Sequence, residues 1–250
     1  MSQKYVAVYD SGIGGLTVLK RLVTVFKKES FIYIGDNEFA PYGSKTEGEL
    51  FNRAYTCIDS LLNYDIKMLV IACNTLSTVC GNMLKKKYAF PIITMAPNTQ
   101  IEGKRSLVIG TPNTISSIKL SFKKPGEYTL MPIPALAGDI ENNVFNLKRL
   151  DVKKYFKNQQ DVYDRVVIGC THYAFVKSKI KAVFPSAKLD DGVDAVVKQM
   201  KEILKEGDGL QNANNVQNIS LNKSLLDRVI FVGNSAKKNK QVFISVLKAK

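Results

Sequence analysis

Seven short apolar segments alternate with helical patterns along the chain, and this alternation limits the possible folds more than any other feature. The segments are rich in β-branched or aromatic residues, as is typical of parallel strands covered on both faces. The pattern predicts an α/β fold of open parallel sheets with helices on both sides, where ligands bind beyond the carboxyl ends of the strands. The predicted strands span residues 5–9, 31–35, 68–72, 91–95, 106–110, 166–169 and 229–233.

Three helices can be placed from local signals. Apolar residues at helical spacing predict one helix within 16–26. Thr46 and Glu49 have the spacing of a capping box and predict the start of a second. A third is expected over 193–204, and the glycines within 207–209 should end it.

The composition is that of an ordinary globular protein. The chain has 250 residues, of which 45% are hydrophobic and 23% charged, enough for one large or two small α/β domains. No apolar run approaches the roughly 20 residues of a membrane span, and the first residues lack a signal-peptide layout. We therefore expect a cytoplasmic protein with no membrane partner, in which the four cysteines stay as thiols.

A net charge of +14 raises the question of a nucleic-acid partner. The lysines cluster only briefly, at 85–87, 123–124 and 237–240, without interleaved aromatic residues. Solvated helix and loop faces explain such clusters more simply. Nucleic-acid binding is therefore a secondary hypothesis.

Two of the cysteines lie at equivalent positions of a short internal repeat. LVIACNTL at 69–76 is repeated as VVIGCTHY at 166–173, and in both an apolar strand ends in a small residue, a cysteine and polar groups. If each copy belongs to its own α/β half, Cys73 and Cys170 face one cleft. Cys57 and Cys80 fall within helical patterns and fit a structural role.

Several chemistries can be weighed for Cys73 and Cys170. A zinc site lacks close ligand pairs, and no Cys-x-x-Cys marks a redox pair. A single thiol nucleophile helped by His172 stays open for hydrolysis or acyl transfer. Two opposed thiols suit inversion at a carbon acid, with one removing a proton and the other delivering one. A free thiol titrates at about 8.5, so we expect modest tuning by neighbours to suffice.

Polar neighbours of the thiols can also be nominated. Asp10 ends the first strand, where a turn or helix N-cap is the alternative role, and Glu141 and His172 could serve Cys170. The glycines in 12–15 do not form a dinucleotide loop, because that fingerprint needs a glycine where Thr17 stands. We expect this loop to offer backbone N–H groups to a small carboxylate.

Ordered motifs extend along most of the chain: YDSGIGG at 9–15, GDNEFAPYG at 35–43, ACNT at 72–75, VIGTPNT at 108–114, GCTH at 169–172 and DDGVDAVV at 190–197. Together they resemble the glutamate racemases, a cofactor-independent family of the aspartate/glutamate racemase superfamily. His172 and the segment 41–43 resemble the glutamate branch in particular.

The resemblance implies a role for each candidate catalytic residue. Cys73 would take the α-proton from D-glutamate and Cys170 from L-glutamate. Asp10 would support Cys73, while His172 and Glu141 would support Cys170. No cofactor or metal is implied, and nothing in the chain marks a Schiff-base lysine.

The same resemblance implies a set of substrate contacts. The α-groups would be held by Ser11, Asn74, Thr75 and Thr171, and Asp10 and His172 would also bind substrate. The side-chain carboxylate would be held by Tyr42, Gly43 and Thr114. Hydroxyls, amides and N–H groups suit a dianionic substrate.

Taken together, we expect two pseudo-symmetric open parallel-sheet α/β domains facing an interdomain cleft. Residues 1–95 with 211–250 would form the first domain and 96–210 the second. Asp10 and Cys73 would belong to the first; the second would carry Glu141, Cys170 and His172.

The expected function is interconversion of L- and D-glutamate by a two-base thiol mechanism, supplying D-glutamate for peptidoglycan in the cell wall. Glutamate is the expected small-molecule partner, and a homodimer is a further expectation. Two alternatives stay open. One is a racemase of aspartate or another amino acid, and the other is a non-catalytic basic binding protein of the same fold.

Overall fold

The computed structural model describes residues 3–97, 105–119, 128–159, 161–204 and 223–248. Three features of the sequence analysis lie outside these ranges. They are the lysines at 123–124, the expected helix stop at 207–209, and the part of the expected first domain over 211–222.

The first sheet has five parallel strands in the order β4-β3-β1-β2-β9. All five lie at positions that the apolar segments predicted, with ends shifted by at most two residues. The strands are β1 (Tyr5–Asp10), β2 (Ser30–Gly35), β3 (Ile66–Ile71), β4 (Ile92–Thr94) and β9 (Val229–Val232).

The second sheet has four parallel strands, which read from one edge as β8-β7-β5-β6. The two inner strands were predicted, whereas the two edge strands were not. The strands are β5 (Ser106–Gly110), β6 (Tyr128–Pro132), β7 (Arg165–Gly169) and β8 (Lys188–Asp190).

The two sheets share one strand order. β4-β3-β1-β2 in the first matches β8-β7-β5-β6 in the second, so β3 and β7 occupy equivalent places. The repeated sequence that ends in Cys73 and Cys170 therefore reflects equivalent strands. The prediction of an α/β fold with two related parallel sheets is confirmed.

Helices flank both sheets. The capping box at the start of α2 forms as predicted, since the Thr46 side chain accepts from the Glu49 N–H and the Glu49 carboxylate accepts from the Thr46 N–H. The helices are α1 (Leu16–Val25), α2 (Glu47–Asp59), α3 (Asn74–Lys87), α4 (Pro112–Lys119), α5 (Leu136–Asn142), α6 (Lys177–Val183), α7 (Val193–Leu204), α8 (Lys223–Leu226) and α9 (Ala236–Lys248).

Each face of the first sheet has its own apolar core. Val6 and Val8 face α1, α7 and α9, while Ala7 and Tyr9 face α2 and α3. Burial on both faces explains why these strands read as continuous apolar runs. Cys57 and Cys80 are buried in the second of these cores, as the structural role requires.

The second sheet is covered in the same way. Leu107 and Ile109 face α5 and α6, while Val108 and Val167 pack against α4. The two inner strands are therefore buried on both sides and hold the loops at their carboxyl ends.

Helix α7 forms over the predicted residues, and its buried side chains join the core of the first sheet: Val196, Val197 and Met200. The expected domain boundary placed this helix with the second domain. The boundaries at 95 and 210 stay a prediction, but the packing of α7 places it against β4 and α1.

In the ranges that the structure describes, no helix combines the length and the apolar character needed to cross a bilayer. The lysines at 85–87 are exposed in the last turn of α3, where cations are favourable next to the helix carbonyls. This placement agrees with a solvated helix face.

Candidate active site

A cleft of about 310 Å³ lies at the carboxyl ends of the strands of both sheets. Cys73 follows β3 and begins α3, and Cys170 follows β7 and begins the 3₁₀ helix Thr171–Val176. Both cysteines line this cleft. Equivalent strands thus bring two thiols to one cavity, one from each sheet.

The Cys73 thiol is shielded from solvent and lies near a negatively charged side chain. It is buried, and its Sγ lies 3.6 Å from the Ser11 hydroxyl oxygen, to which it donates. Burial, followed by the charge of Asp10, raises the pKa of the Cys73 thiol to about 12. The expectation that a modest change of the thiol pKa suffices is therefore wrong for Cys73, because desolvation strongly disfavours its thiolate.

Asp10 lies behind the cleft wall and is fully buried. Its Oδ1 accepts from the Gly12 N–H at 3.0 Å, and its Oδ2 accepts from the Thr171 hydroxyl at 3.0 Å. Burial raises the pKa of the Asp10 carboxyl, although the charge of His172 and these hydrogen bonds oppose the change. Asp10 thus makes a turn at the end of β1 and also reaches the loop that follows β7.

Glu141 and His172 form a close pair beside Cys170. His172 Nε2 and Glu141 Oε2 share a hydrogen bond of 2.8 Å, and His172 and Cys170 line the same cleft. Burial alone would raise the pKa of Glu141, but the hydrogen bond and charge of His172, together with Lys238, lower it to about 2. For His172 burial acts in the opposite direction, and Cys170 and Glu141 outweigh it and raise its pKa well above the ordinary value.

The glycine loop after β1 serves close packing. A Cβ on Gly14 would lie 2.7 Å from His172 Nδ1 and 2.8 Å from the His172 backbone nitrogen, so a side chain there would push the two sheets apart. The expectation that this loop offers its N–H groups to a small carboxylate is wrong for two of them. The N–H of Gly12 donates to Asp10 and that of Ile13 to Glu141 at 3.3 Å, because these protein carboxylates lie directly over the loop.

Tyr42 forms one wall of the cleft, and a buried network fixes it. Its hydroxyl donates to Asp36 Oδ2 at 2.7 Å, and Arg53 Nε donates to the same oxygen at 2.7 Å. The Tyr9 hydroxyl lies 2.5 Å from that of Tyr42. Gly43 follows, close against Thr111, so this segment contacts the second sheet directly.

Three threonine hydroxyls meet at another wall. Thr75 Oγ1 lies 2.9 Å from Thr111 Oγ1 and 3.2 Å from Thr114 Oγ1, and the last two are 3.0 Å apart. Beside them, the Asn74 Nδ2 donates to the Met95 carbonyl, while its buried Oδ1 has no hydrogen-bond partner among the residues that the structure describes. An unpaired buried amide oxygen is ready to accept from a ligand.

The structure brings most predicted site residues to the cleft wall: Ser11, Tyr42, Gly43, Cys73, Asn74, Thr75, Glu141, Cys170, Thr171 and His172. Asp10 and Thr114 are buried behind that wall. The sequence analysis missed Asn37 and Thr111, which also line the cleft. Thr111 is the first residue after β5 and Asn37 the second after β2, so the strand-end rule applied to the cysteines could have found them.

Across residues 3–97, 105–119, 128–159, 161–204 and 223–248, no three His, Cys, Asp or Glu side chains gather as metal ligands would. The groups that face the cleft are instead thiols, hydroxyls and amides, with one carboxylate–imidazole pair.

Comparison with known sequences finds close relatives. The chain is 33% identical over 238 residues to a glutamate racemase of Clostridium acetobutylicum, a match covering 89% of this chain and 92% of the relative. It is 31% identical to a glutamate racemase of Clostridium botulinum strain Loch Maree, covering 92% and 95% of the two chains. No protein-family model matches.

Solved structures of glutamate racemases are similar to this chain in fold. A glutamate racemase from Campylobacter jejuni superposes with a TM-score of 0.77 at 24% identity, covering 98% of this chain and 100% of the other. The Escherichia coli glutamate racemase, in complex with L-glutamate and the activator UDP-MurNAc-Ala, has a TM-score of 0.71 at 25% identity, covering 82% and 83%.

Proposed function

This chain belongs to the glutamate racemase family, and we propose that it interconverts L- and D-glutamate by passing the α-proton between Cys73 and Cys170. One observation carries the proposal: two thiols from equivalent strands of two related sheets line a single cleft. Inversion at a carbon needs one acid–base group on each face of that carbon.

The reaction balances with these two groups alone. Starting from L-glutamate, the Cys170 thiolate takes the α-proton, so a C–H bond breaks and an S–H bond forms. The electron pair left at Cα is shared with the α-carboxylate. The Cys73 thiol then gives its proton to the opposite face, which leaves Cys73 as the thiolate. D-Glutamate reacts by the same steps in reverse.

A bound amino acid would change the charge around Cys73. Burial and Asp10 raise the Cys73 pKa to about 12, which favours the thiol. The α-ammonium of a bound amino acid places a cation near this negatively charged side chain and favours the thiolate. The free amide oxygen of Asn74 is available to accept from that ammonium.

On the other face, His172 and Glu141 serve Cys170. Burial lowers the pKa of His172, but Cys170 and Glu141 outweigh it and raise it, which favours the charged imidazole paired with Glu141. A cation next to a thiol stabilises the thiolate. Asp10 carries the opposite charge and favours the thiol form of Cys73, so we assign it the support of Cys73 as the proton donor.

The two ends of glutamate fit the polar walls of the cleft. The α-groups would meet Ser11, Asn74, Thr75 and Thr171, and the side-chain carboxylate the backbone of Tyr42 and Gly43 with Thr111. We place Thr114 behind Thr75 and Thr111 as a support, because its hydroxyl bonds both. Glutamate racemases in complex with L-glutamate and with D-glutamate support an amino-acid ligand of this size.

We propose that the reaction needs no cofactor and supplies D-glutamate for peptidoglycan, as the family resemblance implies. A cytoplasmic location and a homodimer stay predictions alongside it.

The test is to follow optical rotation by circular dichroism with purified protein and no added cofactor, starting from L-glutamate, D-glutamate and L-aspartate. We expect both glutamate enantiomers to lose rotation. Cys73→Ala and Cys170→Ala should each abolish the loss while circular dichroism shows a retained fold, since each removes the acid or base on one face. If aspartate were racemised and glutamate were not, the proposed substrate would be wrong, whereas the proposed two-thiol mechanism would stand. Turnover near wild type in either variant would overturn the two-thiol mechanism.

A further inference from the structure

The carboxylate of Glu141 is held from several directions. On Oε2, the Ile13 N–H donates at 3.3 Å and His172 at 2.8 Å. On Oε1, the Asn37 amide donates, and Lys238 Nζ donates at 2.8 Å. Both oxygens are therefore engaged, and the orientation of the carboxylate toward His172 is defined.

Three of these donors come from elements of the first sheet, whereas Glu141 lies on α5, which packs on the second. Ile13 follows β1, Asn37 follows β2, and Lys238 lies in the first turn of α9. Helix α9 is anchored in the core of the first sheet by Val242 and Phe243. The C-terminal helix thus reaches the carboxylate that serves the second thiol.

Lys238 differs from its neighbours in the basic segment 237–240. Lys237 and Lys240 are exposed, whereas Lys238 turns toward the cleft and bonds a carboxylate whose side chain is only 13% exposed. Exposed ion pairs contribute little to stability. A cation bonded to a nearly buried carboxylate, in contrast, favours the ionised form of that carboxylate and restricts its orientation. Lys238 is not among the residues that line the cleft.

We propose that Lys238 is a positioning residue for the Cys170 face of the cleft, holding Glu141 in the orientation in which it accepts from His172. This inference rests on the proposed racemase function. The loss of Lys238 leaves Asn37 as the donor to Oε1, so the Glu141 side chain gains freedom to turn away from His172. The low pKa of Glu141, to which Lys238 contributes, agrees with this role.

The experiment compares Lys238→Met, Lys238→Arg and the matched control Lys240→Met, which removes an exposed lysine from the same helix. We expect Lys238→Met to lower kcat about tenfold with KM within about twofold, because a misplaced supporting group slows proton transfer without touching substrate. Lys238→Arg should keep at least about half of kcat, since arginine keeps the donor and the charge. Lys240→Met should match wild type.

An independent readout comes from His172, the one histidine in the sequence, whose ring signals in NMR need no further assignment. We expect the Nε2 resonance to shift in Lys238→Met and to stay in place in Lys240→Met. An unchanged kcat together with an unchanged His172 resonance in Lys238→Met would overturn the inference, as would an equal loss of kcat in all three variants. If Lys238→Met fails to fold, Lys238→Gln is measured in its place against the same criteria. An inactive wild type would instead overturn the proposed function, and the His172 resonance would still decide the position of Lys238.

Discussion

The hydroxyl of Thr171 donates a 3.0 Å hydrogen bond to the carboxylate of Asp10, from the loop after β7 to the end of β1. Thr171 directly follows one cysteine of the cleft, and Asp10 raises the pKa of the other. The two strand ends are therefore joined behind the cleft wall. This bond connects the two sides of the cleft close to both thiols, and a reaction on both faces of one carbon requires such defined positions.

Asp10→Asn removes the charge at this junction while keeping the shape of the side chain. Because the Asp10 carboxylate raises the pKa of Cys73, its removal should lower that pKa from about 12. We also expect kcat to fall about 100-fold, since the polar support of the acid–base group is lost. The rate of Cys73 alkylation against pH and the rate of racemisation measure the two effects.

A matched control is Asp194→Asn, which changes an exposed carboxylate paired with Arg21 on the surface. It should leave both quantities unchanged. An alkylation profile of Asp10→Asn that matches wild type would show that Asp10 does not act on Cys73 by its charge.

Gly14→Ala tests the close approach of the two sheets. The new Cβ would lie 2.7 Å from His172 Nδ1, so the loop after β7 must move. We expect a loss of about 1–3 kcal/mol in the free energy of unfolding, as in other overpacked sites, and a fall in kcat. Urea denaturation gives the first quantity.

Gly48→Ala provides the comparison for this glycine. It lies in α2, and a Cβ there meets nothing within 4 Å. Alanine should therefore stabilise the helix by about 0.5–1 kcal/mol. A Gly14→Ala protein as stable and active as wild type would contradict the packing described for this loop.

Glu141 makes the stability of the protein depend on acid. The pKa of Glu141 is about 2 in the fold against an ordinary value of 4.5, so its carboxylate stabilises the fold above pH 4.5. That contribution is lost as the pH falls from 4.5 toward 2, because the unfolded chain binds the proton first.

Glu141→Gln should therefore flatten this part of the pH–stability curve. Urea denaturation of both proteins between pH 6 and about pH 2 measures it. Parallel curves for wild type and Glu141→Gln over this window would contradict the account of the pair with His172. A normal fold for Glu141→Gln at pH 7, checked by circular dichroism, makes the comparison valid.

Sequence patterns predicted the inner strands because a strand that is buried on both faces consists of a continuous run of apolar residues. The two edge strands of the second sheet have no such apolar run. Tyr128–Pro132 is only partly buried, and Lys188–Asp190 is short and polar. Their places depend on pairing with β5 and β7, which no local pattern encodes.

The candidate site shows the same division. Cys73 and Cys170 were found because a repeated strand end carries them. Lys238 was read as part of a solvated basic face, since its bond to Glu141 joins residues far apart in sequence. The pKa of Cys73 could not be foreseen either, because desolvation depends on what the fold places around the thiol.

The central claim is that two thiols act on opposite faces of one carbon. The most direct test is to add wild-type protein to L-glutamate in D₂O and to measure deuterium at Cα by NMR in both enantiomers during early turnover. The account predicts D-glutamate that carries deuterium from the first turnovers, while the remaining L-glutamate keeps its protium. D-Glutamate that retains the original proton would show a single base acting on both faces and would contradict it.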